Sequence, residues 1–317
     1  MQLRVIQRIL GLLLMVFSVT MLPPVLVGLI YGDGAIGAFL TGFLVTFVAG
    51  FLLWLPVRRF VRDLHLRDGF IIVVMFWSVL ALFGSLPFML GPGLNMSFTE
   101  ALFESMSGLT TTGATVIVGL DSLPKALLFY RQELQWLGGM GIIVLAIAIL
   151  PMFGIGGMQL YRAETPGPMK DNKLTPRITE TAKALWYIYL GLTVSCALAY
   201  WAFGMSGFDA ISHSFSTVAI GGFSTHDASI GYFNSAAIEG VAIVFMLLAG
   251  VNFALHFVAV RNMRVSAYWA DAEFRAYLFV LFIVAVIACS YLYFNHTFDS
   301  VGSTIHHGLF QVISIGT

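Results

Sequence analysis

Three short polar stretches hold the residues whose types and spacing could do chemistry: Ser107-Gly-Leu-Thr-Thr-Thr-Gly113-Ala-Thr115, Ser216-Thr-Val-Ala-Ile-Gly-Gly222-Phe-Ser224 and Ser314-Ile-Gly-Thr317. Hydroxyls and peptide carbonyls held at membrane depth can replace the water around a cation, which is how selectivity filters are built. A dehydrated monovalent cation needs several such oxygens, and carbonyls supply them without fixed charge. Glycine lets the backbone adopt conformations closed to other residues and come near the ion. The candidate ion-binding residues are Thr110, Thr111, Thr112 and Gly113, then Ala219, Ile220, Gly221 and Gly222, then Thr317. Taken singly, Thr-Thr-Thr-Gly is equally a turn whose hydroxyls bond nearby backbone. Two full copies and the start of a third, each between apolar segments, favour the filter.

The elements that must position these stretches are transmembrane. Of 317 residues, 59% are hydrophobic and 10% charged, against about a quarter charged in soluble domains. A hydrocarbon core about 30 Å thick needs roughly 20 apolar residues per helix. Seven segments qualify: 9–30, 36–56, 70–90, 127–152, 184–204, 235–260 and 276–294. The chain therefore reads as an all-α membrane protein. Aligned on their serines, the second and third stretches follow the first by 109 and 207 residues. The flanks then agree as well: an apolar span, a short amphipathic helix (98–108, 208–217, 304–314), the polar stretch, and, twice, another span. A helix of about 11 residues covers roughly 16 Å, half the hydrocarbon thickness. It enters and returns, and extended backbone at that depth requires protein or water around it, so the units should surround a common pore. Each short helix should aim its partially negative C-terminal end at that axis.

This repeat divides the chain into an N-terminal transmembrane hairpin (1–66) turning at Tyr31-Gly-Asp-Gly34, pore repeat 1 (67–161), a proline-containing basic linker (162–183), pore repeat 2 (184–264) and an incomplete pore repeat 3 (265–317). Gly138, Gly139 and Gly141 would permit close helix approach. Asn252 and His256, at i and i+4, should share one face of the sixth span. Cys196 and Cys289 fall inside spans and read as packing residues.

Charge is sorted along the chain. Arg4 and Arg8, Arg58, Arg59, Arg62 and Arg67, Arg162, Lys170, Lys173, Arg177 and Lys183, and Arg261, Arg264 and Arg275 all fall on one side. By the positive-inside rule that side, with the N-terminus, is cytoplasmic. Lys125 and Arg131 lie opposite, among Asp33, Glu100, Glu104, Asp121, Glu133, Asp209, Asp227, Glu239 and Asp299. Such acids could concentrate cations at a pore mouth, or could simply escape a rule that governs bases. A net charge of zero implies no nucleic-acid partner. The lipid bilayer is the expected surroundings.

The hairpin, Ser-Gly-Leu-Thr-Thr-Thr-Gly-Ala-Thr at 107–115, Ala-Ile-Gly-Gly-Phe-Ser at 219–224 and Val-Ile-Ser-Ile-Gly-Thr at 312–317 resemble the Trk/Ktr/HKT superfamily of potassium transport proteins, over the whole chain. The resemblance implies four units around one pore, K⁺ as the transported ion, bound at filter carbonyls including Thr111, Thr112, Ile220 and Gly221, and no organic cofactor in this chain. It further implies a homodimer, a cytoplasmic nucleotide-binding regulatory subunit (TrkA-like), and a place in the bacterial inner membrane. Family members continue through a completed third filter and a fourth unit, so the chain is expected to be a fragment. Glycine at 113 and 222 favours potassium, since serine at the first of these goes with sodium permeation in plant relatives.

Two rival readings differ in class. An ion-coupled (H⁺ or Na⁺) secondary carrier also uses broken helices and midplane sites, but such carriers usually keep a carboxylate deep in the membrane. Glu104, on the first short helix, is the residue to watch, and is expected to bond to the filter backbone. An intramembrane serine protease is suggested by Gly204-Met-Ser206-Gly207 with His256 in the next span, although the topology separates the two residues by most of a membrane.

Overall fold

The computed structural model describes residues 3–60, 66–141 and 178–317, and every regular element among them is helical. Helices α1 (Leu3–Val19) and α2 (Leu22–Tyr31) make one apolar span of 29 residues. They break at Thr20–Met21 because Pro23 and Pro24, in the first turn of α2, offer no N–H to the turn before. The chain reverses at Gly32, whose φ of +63° closes α2. Asp33 fixes this turn by accepting from Ala35 N at 3.1 Å and from Ala126 N at 2.7 Å, which ties the hairpin to the first repeat. Helix α3 (Ile36–Trp54) then lies along α1. Gly11 and Gly50 meet where a Cβ on Gly11 would stand 2.7 Å from the Gly50 carbonyl oxygen, the small-residue contact by which membrane helices gain dispersion energy.

The first repeat comprises α4 (Leu66–Gly84), α5 (Leu86–Leu90), the short α6 (Phe98–Leu109), the polar stretch and α7 (Lys125–Trp136), which ends in a π-helical turn at Leu137–Gly141. The second comprises α8 (Ile178–Ala202), the short α9 (Gly207–Val218), its polar stretch, α10 (Ala236–Ala249) and α11 (Phe253–Asn262). After α12 (Ser266–Ala270) come α13 (Ala272–Phe294) and α14 (Val301–Gly316). Helices α6 and α9 both pack on α7, and α14 packs on α10 and α13.

Among the described residues, five helices are long and apolar enough to cross a membrane, or six if α10 and α11 count as one span. The expected fourth span, 127–152, is described only to Gly141, and the linker 162–183 lies outside the described residues up to residue 177. The expectation for 235–260 needs correction. This segment bends by 92° between α10 and α11. Asn252 is the N-cap of α11, its side chain accepting from Ala254 N at 3.0 Å, so it shares no helix face with His256. The His256 ring instead joins Tyr268 Oη and the Leu248 carbonyl, both at 2.8 Å, which holds the elbow to α12.

Candidate functional site: two polar loops around one cavity

The short helices start and stop by the same local rules. Ser97 caps α6, with Glu100 accepting from Ser97 N at 2.8 Å in a reciprocal capping box. Ser206 caps α9 through its hydroxyl, which accepts from Asp209 N at 3.1 Å and donates to the Asp209 carboxylate at 2.7 Å, and Asp209 stands where Glu100 stands. Each of these helices has 12 residues, about 18 Å, which is too short to cross the hydrocarbon core. Helix α14 has 16 residues and starts at Val301, one turn before the expected 304, because its cap is Ser300. Helices α6 and α9 end two residues past their aligned serines, at Leu109 and Val218.

The loops leave these helices in matching conformations. Thr112 N donates to Ser107 O at 2.9 Å and Gly221 N to Ser216 O at 2.8 Å. Thr111 N reaches Gly108 O at 3.0 Å and Ile220 N reaches Thr217 O at 3.2 Å. These two bonds per loop make the Schellman ending, which needs a left-handed residue between them. Here that residue is Thr111 (φ +55°) or Ile220 (φ +53°) rather than glycine. A β-branched residue in this region is strained, and strain of this kind gathers at functional sites. Two positions on, Gly113 (φ +76°) and Gly222 (φ +81°) are left-handed again.

The loops converge. A Cβ on Gly113 would fall on the Gly221 carbonyl oxygen and within 3.7 Å of Gly222 Cα. A cavity of about 260 Å³ lies here, lined by Thr112 and Gly113 from the first loop, Ile220, Gly221 and Gly222 from the second, and Ser314 at the start of the third stretch. Thr110, Thr111, Ala219 and Thr317 stand outside this lining, at the helix ends. The Thr110 hydroxyl bonds Met106 O and Thr112 Oγ1, both at 2.8 Å, and that of Thr317 bonds Ile313 O at 2.7 Å.

Helix α7 holds both loops from one face. Arg131 pairs with Glu104 at 2.8 Å with both side chains at most 1% exposed, donates to Thr115 Oγ1 at 3.1 Å and crosses to the Ser224 carbonyl at 2.9 Å. Its guanidinium also lies 4.3 Å from the centre of the Phe223 ring. One turn on, Gln135 donates to the Gly221 carbonyl at 2.6 Å and accepts from Phe223 N at 3.0 Å. A Cβ on Gly221 would stand 2.3 Å from Gln135 Cδ, so glycine leaves room for this amide. One lone pair of the Gly221 carbonyl is thereby committed to protein. Neither role follows from the polar stretches: charge sorting groups Arg131 with the outer charges, and Gln135 stands outside all three stretches. The available signal is the polar run Arg131-Gln-Glu-Leu-Gln135, which interrupts an expected apolar span and sets an arginine and a glutamine at i, i+4.

Glu104 reaches the backbone at the end of the first polar stretch, accepting from Val116 N at 3.2 Å as well as from the Thr115 hydroxyl. The position 109 residues on repeats the device with different chemistry, since His213 Nε2 bonds Ser224 Oγ at 2.9 Å. Above the cavity, loop residues join the repeats: Asp121 bonds the His226 ring, which stacks on Tyr232, and Asp227 accepts from Gly119 N at 3.0 Å. The bond from His226 holds the Asp121 carboxyl below the usual aspartate range.

The grouping of outer charges is also corrected. Glu104 and Glu133 are buried at 0% and 5% exposure and cannot line a mouth. Lys125 lies over the rings of Tyr31 and Phe208. Gly138 does serve close packing, since a Cβ there would strike the Leu109 carbonyl, and Gly139 touches Tyr189. The protease pairing fails: the Ser206 hydroxyl is spent on Asp209, and His256 is spent on Tyr268 and Leu248.

Residues 35–317 match the family model described as TrkH, cation transport protein. The chain belongs to the TrkH family. It is 60% identical to the Trk system potassium uptake protein TrkH of Vibrio parahaemolyticus and 58% identical to that of Halomonas elongata, in each case over all of this chain and 66% of the relative. The crystal structure of the potassium transporter TrkH from Vibrio parahaemolyticus superposes with a TM-score of 0.87 at 56% identity, covering 99% of this chain and 64% of that one. This TrkH-family chain thus spans slightly less than two thirds of these relatives. The all-α membrane fold is established, and the family is one of transporters rather than enzymes.

Proposed function

We propose that this chain supplies the first part of a potassium uptake pathway in which backbone carbonyls of Thr110–Gly113 and Ala219–Gly222, joined by the third stretch at Thr317, replace the ion's hydration shell. The observation that carries this reading is the single cavity that residues of both loops and Ser314 line together. Matched left-handed turns at 111 and 220 and at 113 and 222 present the peptide oxygens in corresponding directions. The relatives' names supply the ion, K⁺.

Conduction is channel-like on this reading. Of the two buried carboxylates Glu104 and Glu133, the one that reaches the loop, Glu104, is neutralised by Arg131 at 2.8 Å, which leaves that one poorly suited to carry a coupling ion, as a carrier mechanism would ask. The bases at 4, 8, 58 and 59 support a cytoplasmic N-terminus, and the bacterial inner membrane is carried over from the family resemblance. The regulatory partner is a cytoplasmic nucleotide-binding subunit, and the assembled protein is a homodimer with one pore per subunit, both carried over from the family resemblance. Rb⁺ flux through the full-length protein in liposomes tests the proposal. Gly113→Ser should raise Na⁺ relative to K⁺ permeation, and an unchanged ratio in a folded variant counts against the filter assignment.

A further inference from the structure

Away from the filter loops, one cluster holds metal-ligand chemistry. Glu239 lies in the first turn of α10, and His306 and His307 lie in the second turn of α14. His306 Nε2 stands 2.6 Å from Glu239 Oε2, with the two side chains 29% and 13% exposed. One ligand atom from each of the three residues lies within 4.8 Å of the others. Neighbouring residues on a helix point about 100° apart, so two adjacent imidazoles converging with a carboxylate from another helix is not what helix periodicity delivers by default. Packing explains the convergence in part: His307 stacks on Phe298 at 4.9 Å and meets His306 edge-on at 5.2 Å.

We propose that Glu239, His306 and His307 form a site for a borderline-soft divalent cation, with zinc(II) the fitting ion, bridging α10 to α14. Two imidazoles and one carboxylate, with water in a fourth position, are a donor set that zinc takes readily. Magnesium and calcium prefer all-oxygen shells and are disfavoured. Bonds of about 2.0–2.1 Å place tetrahedral donors roughly 3.3 Å apart. Donors already within 4.8 Å reach that spacing by side-chain rotation. The cation would stand between His306 Nε2 and Glu239 Oε2 in place of their direct contact, with each imidazole ligating in its neutral form. The bridge would join two walls of the cavity, because Ala242 and Met246 of α10 and Phe310 and Ser314 of α14 all line it.

The test is zinc titration of the untagged full-length protein in nanodiscs, read by calorimetry and by thermal unfolding. One saturable site per chain is expected, together with a zinc-dependent rise in Tm that magnesium does not produce. His307→Ala and Glu239→Gln should each weaken binding by about tenfold or more, as changes around metal sites commonly do, and should abolish the Tm rise. Glu239→Gln keeps the shape of the side chain, so a folded variant remains if His307→Ala fails on size exclusion. Absence of saturable binding, or unchanged binding in either folded variant, overturns the site.

Discussion

The two polar loops reach one backbone geometry from different residues. In the first, Thr111, Thr112 and Gly113 follow α6, and Glu104 on that helix braces Thr115 by a charge-assisted bond. In the second, Ile220, Gly221 and Gly222 follow α9, and the ring of His213 braces Ser224. What is common is the placement of left-handed residues and the Schellman bonds; what differs is the source of support. The first loop is braced mainly from within its own repeat, whereas the second leans on Arg131 and Gln135 of the preceding repeat. Equivalent loops are therefore unequal in energetic terms.

The largest effect that would break this comparison is at Arg131. Arg131→Met leaves the Glu104 carboxylate buried without its partner and releases the Ser224 carbonyl, a loss of about 3–5 kcal/mol. Thermal unfolding should show it, with Rb⁺ flux lost. Adding Glu104→Gln should recover part of the stability; strict additivity of the two changes would mean that they do not act as a pair.

Gly113 and Gly222 come next. Gly222→Ala meets no atom within 4 Å and bears only the left-handed strain, about 1–2 kcal/mol. Gly113→Ala adds overlap with the Gly221 carbonyl, about 1–3 kcal/mol more. A comparison of the two Tm values sharpens the asymmetry, and equal losses would contradict it. Gln135→Leu should unpair the Phe223 N–H and free the Gly221 carbonyl for about 1–3 kcal/mol, altering K⁺ over Rb⁺ selectivity while leaving the Glu104–Thr115 brace intact.

The smallest effect is at the clasp between the repeats. The Asp121 carboxyl is held below its ordinary value in the folded protein, so its stabilisation is complete above about pH 4 and fades as the pH falls further. Asp121→Asn should lower Tm slightly at neutral pH and flatten the acid limb of the Tm profile. An unchanged acid limb would remove the clasp from the comparison.

The first two short helices were legible in the sequence almost to the residue, with α6 expected at 98–108 and found at Phe98–Leu109, and α9 expected at 208–217 and found at Gly207–Val218. Serine caps and the amphipathic pattern are local signals and act within one turn. The bend at residues 250–252 was hidden by an unbroken run of apolar character, although Gly250 followed by a capping Asn252 could have marked it. The left-handed Thr111 and Ile220 were not legible because their side chains argue against that conformation; the Schellman bonds back to Ser107, Gly108, Ser216 and Thr217 go with it. The Glu104–Arg131 pair was misread for a related reason, since charge sorting assigns a side to a residue and says nothing of depth.

Because Arg131 and Gln135 project from one rod one turn apart, α7 acts as a shared strut. Sliding or tilting that rod displaces both loops at once, so neither loop can be retuned alone. Drift in one loop would have to be matched in the other, and swapping a single loop between relatives should fail unless α7 travels with it.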